Sequence, residues 1–297
     1  MGLQPDGSVD LSTACRMARA SDVTYYADLP GGSPSCPNYS DVGYVQPPEA
    51  FFADVINAAV IGATHDAVIL AFRGTLTIDT ANWHAFWDSV LDWLDDADTK
   101  HISVPYAAGL VHQGFADSLE TLWGQLVPSL RRLTAGGLPV FVTGHSKGGA
   151  LATLASLRLL HEERMTPAGI FTFGAPRAGD TQFANAYNSA ISAHWRFENS
   201  NDIVPHLPPK AVLLEYLGHL EPRLAGLAAR DYQHVGVLEF LNWAGGITEG
   251  DSIELDAERM AHLFDLLATG QVERVAHDHS IENEYIPKVC GSSTPAP

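Results

Sequence analysis

Lysine is scarce in this chain. Of 17 basic residues only four are Lys, set against 35 acidic ones, so 297 residues carry a formal net charge of −18. A field of that sign repels nucleic acid and anionic membrane surfaces, which argues against both as partners. Long apolar runs are missing as well. None approaches the roughly 18 residues of a membrane span, so no transmembrane segment is expected. Cysteine is limited to Cys15, Cys36 and Cys290. None has metal-ligand spacing, and an odd count excludes complete pairing within the chain. One bridge from an end segment to Cys290, with a thiol left over, and three reduced thiols both fit, so the redox compartment stays open. The start, MGLQPDGSVDLSTAC, has neither the basic opening nor the apolar run of a signal peptide. Secretion with a leader absent from this numbering and a soluble cytoplasmic address both remain open. Internal repeats and linker-like stretches are also lacking, which predicts a single domain over 1–297.

What is present is the composition of a globular protein, 46% hydrophobic and 18% charged. The acidic excess reads as a solubility-favouring surface, or more sharply as adaptation to high salt, where self-repulsion is screened. Helical spacing covers 11–27 and stops before Pro30-Gly31-Gly32. Residues 33–48 read as irregular surface, and 50–61 as strand or strand plus turn. The run AVILAF (67–72) predicts a buried strand ending on Arg73-Gly74-Thr75. Helices are expected over 117–133, 183–191 and 253–269, with strands at 169–173 and 194–198. Residues 208–250 are the least readable, and the tail from Gly291 is expected to be disordered. Repeated alternation of strand and helix predicts an α/β fold, a mostly parallel central sheet covered by helices on both faces.

Within that pattern the stretch LPVFVTGHSKGGALATLASLRLL (138–160) carries the strongest chemical signal. A β-branched strand run meets Gly144-His145-Ser146-Lys147-Gly148, then an Ala/Leu-rich helix. Strand, sharp turn bearing Ser, then helix is the context in which G-x-S-x-G marks a nucleophile. Gly144 and Gly148 allow strand and helix to cross closely, and the helix start offers N–H groups to a developing oxyanion. A serine hydroxyl needs an imidazole to take its proton, and the imidazole needs a carboxylate. Chain order Ser, then acid, then His is met by Asp202, at a strand-to-loop junction. Asp180 is its rival and more plausibly caps the helix from Thr181. His206, His219, His234, His262, His277 and His279 all follow the acid, and position alone does not choose among them. His277-Asp278-His279 has the look of a metal pair, but no further ligand spacing surrounds it, so no metal is expected.

Trp83, Phe86, Trp87, Val90, Leu91 and Leu94 fall on one helix face within 76–98, with Asp88, Asp92, Asp95 and Asp96 on the other. That pattern fits a plain amphipathic helix packed on the core. It also fits a movable lid that covers a pocket and opens toward lipid.

Six separated stretches agree with one family: AFRGT (71–75), VHQGF (111–115), VTGHSKGGALA (142–152), TFGAPRAGD (172–180), NSNDIVPHLPP (199–209) and HDHSIENEY (277–285). In order and content the chain resembles the class 3 lipases, the fungal-type triacylglycerol lipases of the α/β-hydrolase fold, as a bacterial-looking member. The resemblance implies Ser146 as nucleophile, Asp202 as acid and His279 as base, with Thr75 and the Lys147 N–H as oxyanion donors. It also implies a lid after F-R-G. Lys147 departs from the Leu usual in fungal members, and its ammonium needs a carboxylate or solvent. The lid segment looks about a helix longer than theirs, and their disulfide pattern is not reproduced.

The implied activity is carboxylic ester hydrolysis on acylglycerols or similar lipid esters, at a lipid–water interface and without a cofactor. An aryl (feruloyl-type) esterase, a phospholipase and a non-catalytic acyl- or partner-binding member are the alternatives. Oligomeric state is not indicated.

Overall fold

The computed structural model describes residues 9–27, 39–54, 56–75, 88, 100–220 and 230–291. Its frame is an eight-stranded sheet formed by β1 (Glu49–Phe52), β2 (Ala58–Ala63), β3 (Val68–Phe72), β6 (Val140–His145), β7 (Gly169–Phe173), β8 (His194–Asn199), β9 (Val237–Leu241) and β10 (Ile247–Glu249), in that spatial order. The five strands from β3 to β9 pair in parallel, while β1, β2 and β10 run antiparallel at the two edges. A separate two-stranded ribbon joins β4 (His101–Ile102) to β5 (Val111–His112). The 50–61 stretch, open between strand and strand plus turn, is β1, a turn and β2.

Central strands are buried on both faces, as their unbroken apolar runs require. Because side chains alternate along a strand, neighbours feed different cores. Val68, Leu70, Phe72, Val140 and Val142 face one side, under α2 (Gln113–Thr134) and α3 (Lys147–His161). Ile69, Ala71, Phe141, Phe171 and Phe173 face the other, under α1 (Leu11–Val23) and the C-terminal elements. A third cluster sits among α5 (Ala211–Leu220), α6 (Ile253–Ala268) and α7 (Val272–Asp278).

Helix α4 (Thr181–Ala190) begins as its sequence dictates, with Asp180 Oδ1 accepting the Phe183 N–H at 2.7 Å. That cap occupies the rival acid. Helix α2 starts four residues earlier than its spacing predicts, at Gln113. Gly114 weakens the local signal by about 1 kcal/mol, and burial of Phe115 in the core overrides it.

The C-terminal helix α8 (Ile286–Gly291) is tied to α1 by a disulfide, Cys15–Cys290, across 275 residues. Closing so long a loop restricts the unfolded chain and stabilises the fold by about 2–4 kcal/mol. The three-thiol alternative is thereby excluded. Cys36, the lid residues Trp83, Phe86, Trp87, Val90, Leu91 and Leu94, and the tail 292–297 lie outside the described residues.

Candidate active site

Ser146 sits between β6 and α3 with φ 58° and ψ −135°, a positive-φ conformation that L residues seldom adopt. Backbone groups hold it there. Its N–H donates to the Phe173 carbonyl at 2.9 Å, and its own carbonyl accepts from Gly149 N–H at 2.9 Å. A Cβ on Gly148 would stand 2.2 Å from the Phe72 carbonyl oxygen, and one on Gly144 would stand 2.2 Å from the Gly148 oxygen. The two glycines are thus required by close approach of strand and helix. Because Ser146 is the residue before α3, the first helical N–H groups, beginning with Lys147, have no intrahelical acceptor.

The acid and the imidazole meet across 77 residues. His279 Nδ1 lies 2.7 Å from Asp202 Oδ2, with both side chains fully buried. A buried carboxylate must be compensated, and Asp202 is: Tyr285 Oη donates to Oδ2 at 2.6 Å, and the Val204 N–H donates to Oδ1 at 2.9 Å. Burial, with the Asp202 charge behind it, pushes the Tyr285 phenol well above its ordinary range, so it stays a donor. Its oxygen also accepts the Asn199 N–H at 3.1 Å. With the carboxylate at Nδ1, the proton of His279 resides there and Nε2 is the basic nitrogen.

A second chain links the elbow to this pair. Tyr25 Oη lies 2.8 Å from His145 Nδ1, and His145 Nε2 lies 2.8 Å from the His279 carbonyl oxygen. A carbonyl only accepts, so His145 Nε2 carries the proton and Tyr25 donates to Nδ1. Burial holds the His145 imidazole well below its usual pKa, which keeps it neutral. The Tyr25 oxygen accepts from the Gly74 backbone as well. One phenol therefore ties the F-R-G-T loop to the residue before the nucleophile, and that residue holds the backbone of His279. The His145 and His279 rings lie 4.5 Å apart, which brings His279 beside the elbow. Gly74 is equally close: a Cβ there would stand 3.0 Å from the Ser146 Cβ. Half-buried Thr75 follows it at the carboxyl edge of β3.

The Lys147 side chain reaches a partner of its own. Its Nζ donates to Asn57 Oδ1 at 2.8 Å. Burial lowers its pKa, and the Asp54 carboxylate opposes that shift. Asp54 in turn accepts from the Asn57 backbone and side chain at 2.6 and 2.7 Å. The ammonium thus pins the elbow to the turn between β1 and β2.

The other histidines are placed elsewhere. His206 is buried beside Arg177 and Arg259, His219 sits on α5 against Glu215 O at 2.8 Å, and His234 donates to Pro205 O at 2.6 Å. His262 stacks on Trp243 with rings 4.2 Å apart. His277 Nδ1 lies 3.1 Å from Glu284 Oε1. Glu284 and Asp278 bring ligand atoms within 4.8 Å of His277, a grouping that sequence spacing did not reveal. Lys288 Nζ already occupies Glu284 at 2.6 Å, and Asn201 donates to Asp278 at 2.8 Å. The donor set is spent on protein partners.

Sequence reasoning missed Tyr25, His145 and Tyr285 as site residues. Tyr285 closes the matched stretch HDHSIENEY, six positions after His279, and that placement was a usable signal. Tyr25 carries none, since its partners Gly74 and His145 are 49 and 120 residues away.

A parallel sheet with a serine elbow after a central strand, an acid after a later strand and a histidine after the last is the α/β-hydrolase layout. Comparison with known proteins shows what the chain is similar to. The family Lipase (class 3) matches residues 69–212. A lipase of Rhizomucor miehei is 29% identical over 225 residues, covering 69% of this chain and 58% of the relative. The secreted mono- and diacylglycerol lipase A of Penicillium cyclopium is 29% identical over 163 residues, covering 54% of this chain and 49% of the relative. Among solved structures, the Rhizomucor miehei lipase propeptide complex superposes with a TM-score of 0.60 at 23% identity, over 82% of this chain and 72% of that one. Over residues 69–212 the chain is similar to the class 3 lipases. It spans 58% of the length of its Rhizomucor relative.

Proposed function

We propose that the protein is a serine carboxylic ester hydrolase of the lipase type, acting on acylglycerols or similar lipid esters. The observation that carries this reading is the Asp202–His279 contact beside an elbow whose serine is held at positive φ. Ser146 Oγ attacks the ester carbonyl as His279 Nε2 takes its proton. Asp202 holds the imidazole in the required tautomer and stabilises the imidazolium. The N–H groups of Thr75 and Lys147, with the Thr75 hydroxyl, receive the developing oxyanion. His279 then protonates the leaving alcohol, and water deacylates the enzyme by the same route in reverse. No cofactor enters.

Residues 76–98 act in this reading as a lid, supported by the apolar stripe from Trp83 to Leu94 directly after the Thr75 donor. The whole of 1–297 works as one α/β-hydrolase domain, supported by the single sheet that joins β1 to β10. Secretion is favoured over a cytoplasmic address by the Cys15–Cys290 bond, a linkage typical of oxidising compartments. Among the described residues no helix is long and apolar enough to cross a membrane. Phospholipase and aryl-esterase readings are not favoured, because the acidic surface opposes anionic phospholipid and the Penicillium relative is named for mono- and diacylglycerols. A non-catalytic role is disfavoured because all three candidates, Ser146, Asp202 and His279, are present in the chain.

Ser146→Ala tests the assignment: turnover of p-nitrophenyl esters disappears while the thermal transition is kept. Undiminished turnover in that variant removes Ser146 from the mechanism. For the lid, activity on a long-chain ester rises as substrate passes from monomer to emulsion, and deleting 82–91 abolishes the rise. An unchanged profile makes the segment structural.

A further inference from the structure

Strand β8 directs Trp195 and Phe197 into the α1 side of the sheet and Arg196 and Glu198 to the opposite side. There they line a cavity of about 290 Å³ with Arg177, Arg259, Lys210 and the start of α6. Four of the chain's 17 basic residues thus face one space in a protein of net charge −18.

Two of the three acids lining this space, Glu198 and Asp251, are committed to arginines, and Asp256 on the first turn of α6 makes no ion pair among the described residues. Glu198 pairs with both Arg196 and Arg259, and Asp251 pairs with Arg196 at 2.9 Å. Arg177 is the guanidinium left over. It is 5% exposed, its Nη1 donates to the carbonyls of His206 and Pro208 at 2.7 and 2.8 Å, and among the described residues it contacts no carboxylate. Burial lowers its pKa to about 10, with Glu198 and Asp256 opposing the shift. Arg259 is equally buried, and its Nε has no acceptor among the described residues. Orphaned charged donors are costly, and a guanidinium fork is shaped to bind oxyanions. His206 and His234 are held neutral by burial and by the neighbouring arginines, so they add no charge. At the rim, Ser252 caps α6 by accepting the Leu255 N–H at 3.0 Å, and the first-turn N–H groups of that 16-residue helix point outward from its start. The volume suits a small ion with its waters and is below that of drug-sized ligand pockets.

We infer that this cavity is a binding site for a small oxyanion of the phosphate class, received by Arg177 and Arg259. Arg177 also holds the backbone of 206–208, which follows Asp202, so a bound anion fixes the segment carrying the acid. The inference is independent of the reading of Ser146 as nucleophile.

The test is thermal unfolding and calorimetric titration of the full chain with inorganic phosphate, against chloride at matched ionic strength. Phosphate is expected to raise Tm by several degrees at saturation and to bind one per chain. Lys210→Glu places a negative charge at the mouth without touching the core. It is expected to weaken phosphate binding by about fivefold, with p-nitrophenyl ester turnover unchanged. Arg177→Gln abolishes binding; since its side chain also supports the 206–208 backbone, Lys210→Glu keeps the test valid if that variant fails to fold. Equal Tm in phosphate and chloride, or a titration indifferent to Lys210→Glu, overturns the inference. Sedimentation with phosphatidic acid vesicles separates a free ion from a lipid headgroup. Vesicle binding without a response to free phosphate also overturns it.

Discussion

Ser146 and the Asp202–His279 pair are positioned by different means. Around the serine the constraints are backbone: a positive φ, two backbone hydrogen bonds, and glycines where a Cβ would meet a carbonyl at 2.2 Å. Around the acid and the imidazole they are side chains brought together over 77 and 83 positions, with Tyr285 and Asp202 as the shared atoms. A backbone-held feature has few tolerated residues at each position and so leaves marks in the sequence. A side-chain network leaves only residue types common everywhere. His145 belongs to both halves, one ring nitrogen facing Tyr25 and the other the His279 carbonyl.

The largest expected effect comes from breaking the side-chain half at its centre. Asp202→Asn favours the wrong tautomer of His279 and lowers kcat by about 10⁴-fold; steady-state ester hydrolysis measures it. Next is the backbone half. Gly148→Ala forces a Cβ against Phe72 O and costs about 3 kcal/mol or more of stability, read by denaturant unfolding. An unaltered midpoint there means the elbow is looser than its geometry implies. Tyr285→Phe removes a hydrogen bond to a charged group and leaves the Asn199 N–H without its acceptor. About 1.5–3 kcal/mol of stability is lost, with a smaller fall in kcat than for Asp202→Asn.

A further effect is spread over pH. Five histidines, four buried and His234 half-buried, have depressed folded pKa values: His112 and His194 at about 3, and His145, His206 and His234 well below 6.5, all with desolvation as the leading cause. The unfolded chain takes up protons near pH 6.5 while the folded chain does not. Stability present above 6.5 is therefore lost as pH falls from there toward about 3. Tm measured from pH 7.5 to 4.5 falls, and the fall is shallower in His194→Asn. A flat Tm over that range contradicts the burial of these rings.

The same contrast explains what could be read from the sequence. Central strands and the elbow were legible because their apolar runs and glycines are local. Asp180 was recognisable as a helix cap, and its bond to Phe183 N–H has the expected form. His279 was not separable from five other histidines by position, because its partner is fixed by how β8 and the chain after α7 meet. The family resemblance selected it, and the Asp202 contact is consistent with that choice. The Lys147 partner was invisible for a related reason: Asn57 lies 90 positions earlier, in a turn with no chemical signature. The orphaned arginine donors beside Glu198 depend on which acids are already paired, and composition carries no record of that.

The account turns on Ser146 being the nucleophile activated by His279, and a fluorophosphonate probe tests that most directly. Mass spectrometry of digested, labelled protein is expected to show one adduct, on Ser146, that disappears in His279→Ala while the thermal transition remains. An adduct on another residue, or full labelling of Ser146 without His279, would contradict it.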